Sequence, residues 1–313
     1  MPGGLFAGGA RRHNRNKNNV FADLGGVAGP AMAVLSATLF GLAALPAKRG
    51  LNYVSAEVGA LVTIVTTWVI CLLLSPFWMR SSDWFTPGFW VFVLAGLIHP
   101  YLSMYSSFEA LRRAGTTVAS TLAATSPFFS TLGALIFLDE ELSLIVALAT
   151  VGIVAGIVVL TFDGGRVARM MRVALIFATA AAVIRAGSHV IGKWGLEMLP
   201  NPFMATFISF SMGIVGMTVF FRVRHGHFPE SVSKEGIKCF IYSGLFVAFA
   251  IISMYAALML GRVVVISPII ASYPAFTLLA VLLLRTERIT RRIVIGVVMV
   301  TIGVIVIALG DPG

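Results

Sequence analysis

Residues 124–143 read ATSPFFSTLGALIFLDEELS, and residues 271–290 read ASYPAFTLLAVLLLRTERIT. Laid over each other, Pro127 answers Pro274 and Glu140 answers Glu287, and the match runs on to Gly156 against Gly303. Upstream, SMYSSFEALRR at 103–113 aligns with SMYAALMLGR at 253–262. A weaker match, PAKRGL at 46–51 against IGKWGL at 191–196, pairs Lys48 with Lys193. A chain that answers itself over this distance is built from two copies of one unit.

The unit is apolar. Of 313 residues 58% are hydrophobic and 12% charged, against about 25% charged in a soluble domain. That leaves too little polar surface to coat a globule in water. It also excludes a disordered chain, which needs few apolar residues and much charge. A membrane helix needs about 20 mostly apolar residues. Such runs fall at 27–47, 56–79, 88–111, 115–137, 142–162, 172–195, 202–222, 237–260, 263–284 and 292–309. The expectation is an all-α membrane protein with ten transmembrane helices. Five helices per copy is an odd number, so the second copy enters the membrane upside down. Two inverted five-helix repeats around a midplane site are the architecture of secondary transporters. The domains read as a flexible basic arm at 1–26, a first repeat at 27–162, a linker at 163–171, a second repeat at 172–309 and a tail at 310–313.

The net charge of +10 does not mark a nucleic-acid binder. Basic residues stand between apolar runs in ones and twos, as they do in loops beside anionic lipid. Membrane lipid, not nucleic acid, is the expected partner, and the chain reads as a monomer or weak dimer. Cys71 and Cys239 lie inside apolar runs and read as packing residues. The head carries no contiguous apolar core with a small-residue cleavage site, so it does not read as a signal peptide.

At the motif level the chain resembles the EamA-type members of the drug/metabolite transporter superfamily. The first copy supplies ALR-x-G…SP-F…DEELS…G and the second GRVVVISP…YP-F…TERIT…G. The resemblance covers roughly residues 30–309. It implies a central cavity between the halves, opened alternately to each side, in an integral protein of a bacterial inner membrane. Relatives include exporters of amino acids and other metabolites and eukaryotic carriers of nucleotide sugars and sugar phosphates. The motif says almost nothing about cargo.

Charges at bilayer depth are costly and mark function. The acids fall in loops or at helix ends, with Glu109 within a turn of the end of its run. Without a deep carboxylate, export of cationic drugs is disfavoured. The deep ionisable groups are basic: Arg185, His189 and Lys193 follow at i, i+4 and i+8 and share one helix face. Arg185 reads as an anion site, with Glu109 as the one acid that could instead pair with it. Lys193 reads as snorkelling to the interface. His99, beside Pro100, with Tyr101, Tyr105 and Tyr255, completes the expected polar lining. Pro100, Pro127 and Pro274 read as kinks or hinges, since a proline frees a backbone carbonyl that depth tolerates only beside protein or a cavity. Glu140 and Glu287 each open a helix, where an acid favours the exposed amides of the first turn. Trp78, Trp84, Trp90 and Trp194 flank the runs as an interfacial belt.

No phosphate loop, HExxH, Cys/His cluster or nucleophile elbow is present, so neither enzyme, cofactor nor metal site is expected. The sequence points to a carrier of a small polar metabolite, an anion or zwitterion. The alternatives are a sugar-phosphate, nucleotide-sugar or lipid-linked-sugar carrier and a non-transporting scaffold. A proton relay would have to use His99 or His189, whereas exchange or facilitated diffusion needs no titrating group. The Lys/Arg count over the loops favours external termini, while resemblance to the eukaryotic carriers implies cytosolic ones.

Overall fold

Proline, glycine and small polar residues set the ends of the helices into which the apolar runs fold. The computed structural model describes residues 7–123, 126–161, 171–226, 232–283 and 291–310, and among these all regular structure is helical. The first half holds α1 (Ala7–Gly50), α2 (Ala56–Leu73), α3 (Ser75–Trp78), α4 (Pro87–Gly96), α5 (Met104–Ala123), α6 (Ser126–Phe137) and α7 (Leu144–Thr161). The second holds α8 (Met171–Met198), α9 (Pro202–His225), α10 (Lys234–Leu260), α11 (Val263–Ala271), α12 (Tyr273–Leu283) and α13 (Arg291–Gly310). α1 begins inside the segment expected as an arm.

Matched capping supports the duplication locally. The Ser55 hydroxyl accepts the Val58 N–H at the start of α2, and the Asn201 carbonyl oxygen accepts the Met204 N–H at the start of α9. These side chains satisfy amides that a helix start leaves open. Asn201 also donates to the Trp78 carbonyl at 3.0 Å and to Asp83 at 2.7 Å. α9 closes on Gly226 at φ 73°, a left-handed cap that glycine takes without a Cβ penalty.

The halves pack through reciprocal pairs of helices. α1 lies along α10 as α5 lies along α8, and α2 meets α10 as α4 meets α9. The sharpest pair is α7 with α13. A Cβ on Gly156 would stand 2.9 Å from Met299 and 3.1 Å from the Gly296 carbonyl oxygen. A Cβ on Gly303 would stand 2.6 Å from Ile153 and 3.1 Å from the Ala149 carbonyl oxygen. The two glycines matched in sequence thus meet each other's helices at matched sites. Because 149 faces 303 while 156 faces 296, the two helices run antiparallel.

Among the described residues, five helical stretches are long and apolar enough to cross a membrane: Val27–Gly50, Ala56–Leu73, Pro87–Arg113, Pro202–His225 and Lys234–Leu260. Ser126–Phe137, Leu144–Gly156, Val263–Thr277 and Val294–Ile307 are apolar but shorter. Length and composition of the described helices alone therefore support five spans and leave the count of ten open. Expected as a mid-span kink, Pro274 stands one residue into α12, after the turn at Ser272, where the missing N–H costs nothing. Residues 124–125, which precede α6 and Pro127, lie outside the described residues.

Two further expectations are corrected. The break expected between the runs 88–111 and 115–137 does not end a helix, because α5 runs on through Arg112–Gly115 to Ala123. Arg112 and Arg113 reach back to Glu109 at i−3 and i−4, a pairing that favours helix. Trp78 is not an interfacial anchor. It is buried, stacked on Phe203, and its indole N–H donates to the Cys71 carbonyl at 3.0 Å. Trp84, Trp90 and Trp194 are exposed as expected.

Candidate functional site

α8 carries the deep basic residues, and three other elements meet it there. Below α4, Pro100 cannot donate a backbone N–H. The chain widens into a π-helical turn, His99–Ser103, which passes into α5 with the Met104 amide against the Pro100 and Tyr101 carbonyls. This turn places His99 against α8 within electrostatic range of Arg185 and His189. α5 brings Ser107, whose hydroxyl accepts from Arg185 Nη2 at 3.2 Å. From α12, the Tyr273 ring lies under the guanidinium, 5.3 Å from its centroid, a cation–π contact that leaves the outer N–H groups open.

Glu109 does not pair with Arg185. Two residues past Ser107 on the same helix, it points to another face and is held by Arg112 at 2.8 Å and by Arg113. The other described acids are accounted for elsewhere. Glu57 holds Arg224 and His225, Asp83 holds Asn201, and Glu235 holds Lys238. Glu140 binds backbone amides, and Asp139, Glu141 and Glu197 are exposed. Among the described residues no carboxylate neutralises Arg185.

His189 anchors a line of hydroxyls. Its Nδ1 lies 2.8 Å from the Ser267 hydroxyl on α11, which lies 2.6 Å from the Ser130 hydroxyl on α6. Ser130 lies 3.2 Å from the Ser126 carbonyl and 3.1 Å from that of Pro127. Carbonyls only accept. One order of protons satisfies every contact: Ser130 donates to the carbonyls, Ser267 to Ser130, and His189 Nδ1–H to Ser267. The imidazole is then the Nδ1–H tautomer, and Nε2 is a bare acceptor. His189 Nε2, His99 Nδ1, Ser126 Oγ and Thr131 Oγ1 are buried without a partner among the described residues. Buried polar atoms left this way are rare and mark sites that a ligand or water completes.

The remaining expected residues lie elsewhere. Tyr255 is packed between Phe92, edge to face at 5.6 Å, and Gly192, so it serves as core beside the site. Tyr101 lies against Gly216 of α9, and Pro100 fills the notch at Gly213. Tyr105 belongs to a separate cluster at one end of the bundle, where it accepts from Arg224 at 3.2 Å beside Phe177 and Phe220. Lys193 does not simply snorkel. Its ammonium donates at 3.2 Å to the Gly261 carbonyl at the end of α10.

Sequence reading missed Ser107, Ser130, Ser267 and Tyr273. Only Ser267 carried a signal, a small hydroxyl directly before a helix-breaking proline, Pro268, in an otherwise apolar run.

Comparison with known proteins agrees with this architecture. The model of the EamA-like transporter family matches residues 27–162 and again 172–309. A solved structure, titled only as the crystal structure of a protein, superposes with a TM-score of 0.74 at 16% identity, covering 89% of this chain and 95% of that one. At that identity the likeness concerns the fold alone. None of the curated proteins matches.

Proposed function

This chain belongs to the EamA-like transporter family, and from that premise we propose that it is a secondary carrier for a small polar metabolite bearing an anionic group. It is a membrane transporter by family; the cargo class rests on one observation. Arg185 is a half-buried guanidinium with no carboxylate partner among the described residues, which set only a serine hydroxyl and a tyrosine face against it. Arginine cannot discharge by losing a proton, so its charge suits a partner that comes and goes. A carboxylate or phosphate meets it in a two-pronged geometry that the forked guanidinium matches.

Alternating access supplies the cycle. The antiparallel α7–α13 contact and the reciprocal helix pairs support two inverted five-helix units, ten crossings in all, with the site where α8 of one unit meets α5 and α6 of the other. Rocking one unit against the other exposes Arg185 to each side in turn. Cycling requires no titrating carboxylate, and exchange or facilitated diffusion of the anion suffices. Among the described residues no carboxylate stands at this depth to favour a cation.

Reconstitution in liposomes tests the reading. Exchange of a panel of carboxylates and phosphates should be abolished in Arg185→Ala and partly restored in Arg185→Lys, while both variants insert and elute as wild type. Normal anion exchange by Arg185→Ala would overturn it.

A further inference from the structure

We infer that the cargo is a hydroxylated anion, a hydroxy acid or polyol phosphate, and that amino acids and oxo acids of the same shape are rejected. This inference rests on the anion site proposed above and adds what the rest of the site demands.

The decisive atom is His189 Nε2. The hydroxyl line through Ser267 and Ser130 ends on backbone carbonyls, so it runs in one direction and holds the proton of His189 on Nδ1. Nε2 therefore presents a lone pair and no hydrogen. The residue is 1% exposed, and Nε2 has no partner among the described residues. A buried acceptor left unmade is costly, so the cargo that fits best brings a donor to it.

A carboxylate or phosphate dianion is acceptor-only and cannot serve at Nε2. The anionic group goes to Arg185, one turn away on the same helix face, where Cβ atoms stand about 5–6 Å apart. The second group must then be a donor within a few bonds of the first. Two kinds qualify by hydrogen-bond count, a hydroxyl and an ammonium.

Charge separates them. An ammonium beside His189 would sit next to Arg185 with no acid at this depth to offset it, since every described carboxylate is committed elsewhere or exposed. A buried charge without a counter-charge loses its hydration uncompensated. A hydroxyl loses far less. A keto oxygen in the same place would face the Nε2 lone pair with another lone pair. A site built to bond a hydroxyl discriminates strongly against analogues that lack it.

Matched trios read this directly. Lactate, pyruvate and alanine form one; malate, oxaloacetate and aspartate form a second. Glycerol 3-phosphate against phosphoethanolamine extends the comparison to phosphates. Ligand-dependent melting in detergent and competition for exchange in liposomes are the two readouts. The expected result is that the hydroxy member of each set binds at least tenfold more tightly than its oxo and amino counterparts. Arg185→Gln should abolish binding of every member. His189→Phe should keep anion binding but collapse the preference for hydroxyl over oxo. Ser267→Ala, which frees His189 to place its proton on either nitrogen, should reduce that preference without removing it.

Equal or tighter binding of the amino or oxo member overturns this inference while leaving the anion reading intact. Binding of anions that is indifferent to Arg185→Gln overturns the anion reading itself. If no member of any set shifts melting or exchange, the hydroxylated-anion assignment fails.

Discussion

The Glu140 carboxylate accepts the backbone N–H of Val263 at 2.8 Å and that of Val264 at 2.9 Å, from a position 123 residues earlier in the chain. The sequence suggested that this acid serves a helix start, and it does, but not the start of its own following helix. That one, α7, is capped by Ser143, whose hydroxyl accepts the Val146 N–H at 3.2 Å. Glu140 instead caps α11, which has no side-chain cap from its own N-cap residue, Arg262. An acid of one half thereby fastens a helix of the other. Its repeat partner Glu287 lies outside the described residues.

Glu140→Ala should therefore cost about 1–2 kcal/mol, the loss of a helix cap. Glu140→Gln, which keeps one accepting oxygen, should cost less. Thermal unfolding in detergent checks both, and an Ala variant melting with wild type would remove the cap from the account.

Gly156 and Gly303 answer each other across α7 and α13, so equal substitutions should have comparable effects. Each alanine would push a Cβ within 3.0 Å of a neighbouring side chain, an overpacking worth about 1–3 kcal/mol. Melting of Gly156→Ala and Gly303→Ala decides this. A large loss at one and none at the other would break the reciprocity.

That reciprocity shows what the sequence carried openly. The 127/274, 140/287 and 156/303 matches were visible as letters, because duplicated packing needs the same small or breaking residue twice. Arg185, His189 and His99 were visible too, because an ionisable group in an apolar run stands out. Ser107, Ser130, Ser267 and Tyr273 were not. A serine in a membrane helix commonly bonds its own preceding turn, as Thr63 does to the Gly59 carbonyl at 2.8 Å. Only the approach of α6 to α11 distinguishes Ser130 and Ser267 from that background. Tyr105 misled for the opposite reason. It follows His99 and Tyr101 closely in sequence, yet its hydroxyl accepts from Arg224 at the end of the bundle.

Ser130 and Ser267 should be energetically coupled. Ser130→Ala removes the acceptor of the Ser267 proton, and Ser267→Ala leaves His189 Nδ1 without its partner. The second should cost more, about 1–3 kcal/mol. In a double-mutant cycle the pair should show a coupling of roughly 0.5–1.5 kcal/mol. Additive melting shifts would mean that the two hydroxyls do not share a proton.

The last expectation concerns which way the bundle sits. Glu57 with Arg224 and His225, and Val54 with Gly236, gather the ends of α2, α9 and α10 at one pole. Lys48, Arg49, Arg112, Arg113, Arg172, Arg222, Lys234, Lys238, Arg291 and Arg292 lie towards that pole as well. Asn201 with Trp78 and Asp83, Lys193 with Gly261, and Glu140 with Val263 mark the other, which carries Arg80 and Arg262 and, at the opposite end of α1, Arg11, Arg12, Arg15 and Lys17. Lys and Arg are retained on the cytoplasmic side, so the basic pole should face the cytoplasm. Single cysteines at exposed Arg49, Lys234, Ser82 and Glu141, in a background lacking Cys71 and Cys239, test this in sealed cells. Ser82→Cys and Glu141→Cys should react with an impermeant thiol reagent, and Arg49→Cys and Lys234→Cys only after permeabilisation. The reverse pattern would turn the bundle over but keep two opposed poles. Labelling that splits Arg49 from Lys234, or Ser82 from Glu141, would sink the ten-crossing arrangement of inverted halves.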